Sequence, residues 1–107
     1  FTDTSAYKTN VSQSLISAGC YIQGSKINRS ILGFRCNIAA GSEISESIFL
    51  GDVKIGEGCQ IRRAIIDKQV EIAPGTVIGE NLEYDRQRFT VSESGIVVIP
   101  KGARVGF

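Results

Sequence analysis

The feature that most constrains the fold of this chain is an aliphatic residue at every fifth or sixth position from residue 11 to residue 78. A mostly small residue, such as Cys20 or Ser25, stands two positions before each of them. The aliphatic positions are Val11, Ile16, Ile22, Ile27, Leu32, Ile38, Ile44, Leu50, Ile55, Ile61, Ile66, Ile72 and Ile78. This spacing fits neither an amphipathic helix, which needs i, i+3, i+4 and i+7, nor a hairpin strand. It indicates a solenoid of short repeats.

Every third aliphatic residue belongs to one column, and neighbours within a column are 16 to 18 residues apart. Three such columns predict a three-sided prism in which short strands pair in parallel, about 4.8 Å apart. The predicted fold is therefore all-β, a parallel β-helix of hexapeptide repeats with about four to five coils. The same pattern assigns Leu50 to the core and leaves Ile48 as the one bulky residue at a small position.

The chain is predicted to be a single β-helix domain, 1–107, and, because it contains no Met and begins at Phe1, to be a piece cut from a longer protein or a processed product. The polar, aperiodic stretch after Ile78 predicts an excursion from the prism, with one helical turn around Tyr84 to Phe89. The apolar pattern then resumes, with Val105 six residues after Ile99. The predicted segments are a linker (1–8), coils (9–79), a loop excursion (80–95) and a returning rung (96–107).

The composition excludes several classes of function. A net charge of +1 gives no bulk attraction to nucleic acid or to an anionic membrane, and no apolar run is long enough to span a bilayer. The three cysteines lack CxxC spacing, which fits reduced thiols in a cytoplasmic protein. Cys20, Cys36 and Cys59 stand at small positions, so we interpret them as core residues; a redox-sensitive pair is the alternative for Cys20 and Cys36.

Histidine is absent from the sequence, and this limits the chemistry of the chain. Acyltransferases built on such solenoids use a His as general base between neighbouring subunits, and the zinc-bearing forms need several His ligands. Both mechanisms would require residues from outside this chain. A stand-alone trimeric hexapeptide acyltransferase therefore remains only an alternative.

Cationic residues are concentrated in the last coils and the excursion. They are Arg62, Arg63, Lys68, Arg86, Arg88, Lys101 and Arg104. If these side chains converge at one end of the prism, they would form an anion site of phosphate size. The alternative is solvated charge paired with nearby acidic residues, namely Asp67, Glu71, Glu80 and Asp85.

Four runs at this end of the chain carry a family resemblance: "RRAIIDK", "VIGEN", a charged loop ending in "RF", and "SESGIVV". Together with the hexapeptides they cover nearly all of residues 14–107, and they resemble the C-terminal domain of ADP-glucose pyrophosphorylase (glucose-1-phosphate adenylyltransferase). The resemblance implies a parent enzyme that joins ATP and α-glucose-1-phosphate, with Mg²⁺, into ADP-glucose and pyrophosphate for glycogen or starch synthesis. It places catalysis in a larger N-terminal Rossmann-like domain that this sequence lacks.

For this domain, the resemblance implies a left-handed β-helix that packs on the catalytic domain, helps to build a tetramer, and shares a site for sugar-phosphate activators and nucleotide inhibitors. In that family, basic residues after "IID" and after the "GIV" strand take part in the site, and here these are Lys68 and Lys101. Arg62, Arg63 and Arg104 are the further expected phosphate-binding residues. No catalytic residue, metal or cofactor is expected in this region. A non-catalytic scaffold, such as an inactive subunit, is the second alternative.

Overall fold

The chain folds into a succession of two- and three-residue strands in a computed structural model that describes residues 9–107. The predicted linker, 1–8, lies outside the described residues. The strands are β1 (Asn10–Ser12), β2 (Leu15–Ile16), β3 (Tyr21–Ile22), β4 (Lys26–Asn28), β5 (Ile31–Leu32), β6 (Asn37–Ile38), β7 (Glu43–Ser45), β8 (Ile48–Phe49), β9 (Lys54–Ile55), β10 (Gln60–Arg62), β11 (Ala64–Ile66), β12 (Glu71–Ile72), β13 (Val77–Ile78), β14 (Thr90–Val91), β15 (Val97–Ile99) and β16 (Arg104–Val105), with one helix, α1 (Leu82–Arg88), before β14.

Every third strand joins the same sheet, so the chain coils around three sides. Side I is β1-β4-β7-β10-β13, side II is β2-β5-β8-β11-β15, and side III is β3-β6-β9-β12-β16. Neighbouring strands within each of these rows are parallel, and stacked aliphatic residues such as Ile27 and Ile44 pair in register. The all-β parallel β-helix is therefore confirmed, with five rungs on each side within residues 9–107; its left-handed sense stays an expectation from the resemblance.

The small inward positions are explained by hydrogen bonds between coils. The Ser30 hydroxyl donates to the Asn28 carbonyl at 2.9 Å and accepts the Ser47 backbone N–H at 3.2 Å. The Ser25 hydroxyl donates to the Ala39 carbonyl at 2.7 Å. A buried hydroxyl is tolerated only when it is hydrogen-bonded, and here it also bonds one coil to the next. These positions therefore favour residues that are small and either apolar or able to bond to the backbone.

The assignment of Leu50 to the core is wrong. Phe49 takes that place: it is 1% exposed and pairs in register with Leu32 and Ile66, whereas Leu50 is 43% exposed. Phe49 is therefore the inward residue of this rung.

The error is a one-residue shift in a run of three large apolar residues. Phe49 lies five residues after Ile44 and six before Ile55. Leu50 lies six residues after Ile44 and five before Ile55, so it satisfies the same five-or-six pattern. Because alternate residues of a strand point to opposite faces, a one-residue shift exchanges inside and outside. Ser47 consequently fills the small inward position, and Ile48 faces outward.

The predicted excursion contains more regular structure than a loop. The helical turn expected around Tyr84 is α1, whose N-terminus is capped by Asn81: its side-chain oxygen accepts the Tyr84 N–H at 3.1 Å. After the helix, β14 pairs antiparallel with β15. The predicted returning rung, 96–107, contains β15 and β16, which bury Ile99 and Val105 in the core.

Asp85 ties the excursion to the last coil. Its side chain is buried, and one carboxylate oxygen accepts the Gly79 N–H at 2.9 Å while the other lies 3.3 Å from Arg88. Leu82 and Phe89, at the two ends of the helix, pack against the core. The excursion therefore covers the end of the core that β13 would otherwise leave open.

Candidate functional site

Lys68 and Lys101 lie one above the other on the edge between sides II and III. Lys68 is in the turn from β11 to β12, and Lys101 is in the turn from β15 to β16. The Gly102 N–H donates to the Lys68 carbonyl at 3.0 Å, as the Gln69 N–H does to the Gly51 carbonyl one coil earlier. The two lysines therefore occupy equivalent turn positions about 4.8 Å apart along the prism. Both are exposed, and we call them the lysine pair.

The carboxylates of Asp52 and Asp67, near the lysine pair, accept hydrogen bonds from groups other than the lysine ammonium groups. Within residues 9–107, no ion pair includes Lys68 or Lys101. Asp67 accepts the Lys68 backbone N–H at 2.7 Å. Arg35 binds both oxygens of Asp52, at 2.8 and 2.9 Å; this hydrogen bonding and charge lower the pKa of Asp52, with a smaller contribution from Lys68. Two lysines on neighbouring turns, each with an ammonium group of three donors, suit a phosphate.

Arg104 lies three residues beyond Lys101 but faces outward from side III. It stands in register with Glu71, and its Nε is 3.5 Å from the Glu71 carboxylate. Its guanidinium also stacks on the Phe107 ring, 4.5 Å from the centroid. Both members of the ion pair are well exposed, so the pair is weak and Arg104 could exchange Glu71 for an anion.

The structure does not bring the two neighbouring arginines of β10 and its turn to the lysine pair. Arg62 faces outward on side I, where it lines a shallow groove with Glu43 and Glu80. Arg63 stands at the edge between sides I and II, and its Nη2 donates to the Ser94 carbonyl at 2.6 Å. Arg63 therefore fastens the excursion to the coils.

The sequence analysis missed an apolar outward face on side II. The outward residue of each strand there is Leu15, Ile31, Ile48, Ile65 or Val98, and these form the apolar strip. The same position on side III holds Tyr21, Asn37, Lys54, Glu71 and Arg104. The signal was present in the triplets "SLI", "SIL", "SIF", "AII" and "VVI", which have an apolar middle residue at every third strand. The misplaced Leu50 concealed it.

The three cysteines are free and buried, which confirms their interpretation as core residues. Burial raises the pKa of Cys36 from its ordinary 9.0 to about 11, and burial also raises the pKa of Cys59. Within residues 9–107, no three His, Cys, Asp or Glu side chains are grouped to hold a metal ion. In the same range, no helix combines the length and the apolar character needed to cross a membrane.

We expect the Cys36 and Cys59 thiols to react slowly with a maleimide at neutral pH in the folded chain and rapidly after unfolding, because the thiolate is the reactive form. The raised pKa of Cys36 also predicts a loss of stability between pH 9 and pH 11. In that window the unfolded chain has released the thiol proton while the folded chain retains it, so unfolding becomes more favourable as pH rises. Urea titrations across this range would measure the effect. A Cys36→Ala variant should show a smaller pH dependence, and an equal slope would contradict the assignment.

Comparisons with known proteins agree with the repeat architecture of the chain. A family model described as "GlmU-like, C-terminal hexapeptide" matches residues 1–99. Over all 107 residues the chain is 59% identical to "Glucose-1-phosphate adenylyltransferase 1" of Vibrio vulnificus (strain YJ016) and 67% identical to the protein of that name from Vibrio cholerae serotype O1, and it spans 26% of each. It is 58% identical over 105 residues, 98% of the chain, to "Glucose-1-phosphate adenylyltransferase" of Photobacterium profundum, again spanning 26% of that protein.

These similarities confirm the resemblance found in the sequence, and the chain corresponds to about a quarter of the length of these relatives. The family model extends over most of the coils and ends at Ile99, the last residue of β15. The stacked five- and six-residue repeats are the structure that a hexapeptide model describes. The chain therefore belongs to the GlmU-like C-terminal hexapeptide family.

Proposed function

We propose that this chain is the C-terminal domain of a glucose-1-phosphate adenylyltransferase, and that it regulates and helps to assemble that enzyme. The names of relatives that are 59% and 67% identical over the whole chain support the first part. The whole enzyme would form ADP-glucose and pyrophosphate from ATP and glucose-1-phosphate for glycogen synthesis. Its remaining part would bind ATP and Mg²⁺, and the enzyme would be a cytoplasmic homotetramer.

The lysine pair is the observation that carries the regulatory part of the proposal. Lys68 and Lys101 present two cations on one edge, and no ion pair within residues 9–107 engages either of them. A phosphate group of a sugar phosphate or a nucleotide would bridge them and offset the repulsion between two like charges on one edge. Arg104, on the adjacent side, would strengthen the field there. Such an effector would activate the enzyme if it binds the active arrangement of the two domains more tightly than the inactive one.

Lys68→Ala and Lys101→Ala in the full-length enzyme should each raise the activator concentration needed for half-maximal activation about tenfold or more. The reason is that a hydrogen bond to a charged group contributes about 1.5–3 kcal/mol. The rate without activator should stay unchanged, because neither lysine belongs to the catalytic domain in this proposal. Initial rates of ADP-glucose formation over a range of activator concentrations would measure both quantities.

Lys26→Ala is the matched control, since Lys26 is an exposed cation on side I, away from the lysine pair. It should leave activation unchanged. Lys68→Arg and Lys101→Arg should restore most of the response because they keep the charge. If activation is unaffected in both alanine variants, the lysine pair is not the effector site.

The two alternatives predict different results with the same proteins. An acyltransferase would consume acyl-CoA in the presence of an acceptor, although the 107 residues contain no His to act as general base. A non-catalytic scaffold would belong to a parent that oligomerises but forms no ADP-glucose on its own.

A further inference from the structure

We propose that the Arg35–Asp52 ion pair keeps the lysine pair free for a phosphate group, because Arg35 holds a carboxylate that would otherwise pair with Lys68. Arg35 is thus a positioning residue of the effector site: it acts through Asp52 and does not contact the ligand. The inference deepens the proposed function and rests on it, since it takes the lysine pair to be the place where an effector binds.

Arg35, Asp52 and Gln69 occupy equivalent turn positions in three successive coils, on the edge that carries the lysine pair. The backbone N–H of Asp52 and that of Gln69 each donate to a carbonyl in the coil before. All three residues have the left-handed conformation, with φ angles of 57°, 52° and 60°. Asp52 therefore has Arg35 one coil away on one side, and the turn of Lys68 one coil away on the other.

Asp52 is bound to the cation that fits a carboxylate better. Arg35 donates through Nε to one oxygen of Asp52 at 2.8 Å and through Nη2 to the other at 2.9 Å. A planar fork of donors matches the two oxygens of a carboxylate, whereas an ammonium is a single point of charge on a flexible stem. Hydrogen bonding and charge from Arg35 lower the pKa of Asp52 most, and the charge of Lys68 lowers it further. Lys68 is therefore a second cation near Asp52, from which Arg35 withholds the carboxylate.

Two other carboxylates beside the lysine pair are held in different ways. Asp67 accepts the backbone N–H of Lys68 at 2.7 Å, and Glu71 lies 3.5 Å from Nε of Arg104. A change at Arg104 would alter an expected phosphate-binding residue, and a change at Asp67 would alter the turn itself. Arg35 is the residue that can be replaced while every expected phosphate ligand stays in place.

Removal of the guanidinium is expected to release Asp52 towards Lys68. In Arg35→Gln, both oxygens of Asp52 lose their partner, and Lys68 is the remaining cation whose charge acts on them. Gln already adopts this backbone conformation at position 69, so the substitution suits the turn. The released carboxylate would compete with phosphate for one ammonium group. A unit-charge contact at 4 Å in water corresponds to a loss of phosphate affinity of about fivefold.

Competitive labelling of lysines in the full-length enzyme tests the proposal. Acetic anhydride acetylates amines that are not protonated, and mass spectrometry gives the rate at Lys68 relative to Lys26, an exposed lysine on side I. Arg35→Gln should slow the acetylation of Lys68, because an ion pair keeps an amine protonated. It should also raise, by about fivefold, the concentration of inorganic phosphate that halves the acetylation rate. An unchanged rate and unchanged protection would overturn the proposal.

Arg29→Gln is the matched control for this experiment. Arg29 stands in the same coil as Arg35, in a turn with a φ of 49°, but on the edge between sides I and II. Its Nε donates to the side-chain oxygen of Gln13 at 3.1 Å and not to a carboxylate. The variant therefore loses the same charge without releasing an anion, and the acetylation and protection of Lys68 should stay as in the wild type.

A double-mutant cycle separates release of the carboxylate from the loss of a positive charge. In the Asp52→Asn background, Arg35→Gln should have no effect on Lys68, because no carboxylate is there to be released. A general effect of the lost charge would instead be the same in both backgrounds, and that result would overturn the proposal. Because the ion pair is exposed and therefore weak, all these variants should unfold at the urea concentration of the wild type.

The proposed function and this inference fail in different ways. If inorganic phosphate gives Lys68 and Lys101 no protection in the wild-type enzyme, the lysine pair is not an effector site, and both are contradicted. If phosphate protects the two lysines equally well in the wild type and in Arg35→Gln, the effector site stands and the role of Arg35 alone is contradicted. Neither readout depends on ADP-glucose formation.

Discussion

Replacing Phe49 with Ala is expected to destabilise the folded chain by about 3–5 kcal/mol, the usual range for truncation of a buried aromatic residue. Phe49 is 1% exposed and is the largest of the fully buried side chains. It lies between Leu32 and Ile66 on side II, so its removal leaves a cavity in the middle of an aliphatic stack. Urea unfolding followed by circular dichroism would give the change in the free energy of unfolding.

Leu50→Ala is the matched control for this experiment. Leu50 is the next residue in the chain, but it is 43% exposed on the edge of the prism, so its truncation should cost no more than about 1 kcal/mol. The comparison tests the register of the third rung directly. A larger loss for Leu50→Ala than for Phe49→Ala would contradict the register in the structure and would restore the one expected from the sequence.

The fold was predictable because its periodicity is repeated in every coil. Residues such as Ile22, Ile38 and Ile55 recur at intervals that no helix or hairpin produces, and any one irregular rung changes little. The register of that rung was not predictable, because Ile48, Phe49 and Leu50 are all large and apolar. Packing decides among them: Phe49 is the residue buried in the core, and Ser47 fills the small inward position two residues before it.

The resemblance singled out the two members of the lysine pair, and the repeat explains why they stack, whereas their surroundings were not predictable. Lys68 follows Ile66 by two residues and Lys101 follows Ile99 by two, so the repeat alone makes them equivalent. The hydrogen bond from Arg63 to the Ser94 carbonyl was not predictable, because the excursion that contains Ser94 follows no repeat. The burial of Asp85 was not predictable either. A helix of seven residues gives no periodic signal strong enough to show which carboxylate turns inward.

Gly79→Ala is expected to destabilise the chain by about 3–6 kcal/mol, the sum of three costs at one position. Gly79 has a φ of 92°, a conformation that alanine adopts poorly. A Cβ there would overlap the Arg62 carbonyl oxygen of the coil below, so the backbone must move. That movement would pull the Gly79 N–H away from the buried carboxylate of Asp85, which holds the excursion in place. Urea unfolding would measure the total.

Gly58→Ala separates the conformational cost from the other two. Gly58 also has a positive φ, 67°, but an added Cβ would have no atom within 4 Å, so about 1–2 kcal/mol is expected there. If the excess at Gly79 arises at the junction with the excursion, Gly79→Ala should also speed tryptic cleavage after Arg86 in the helix, while Gly58→Ala should not. Equal losses of stability and equal cleavage rates would mean that the Gly79–Asp85 bond does not hold the excursion, and that the end of the core is covered by its apolar contacts alone.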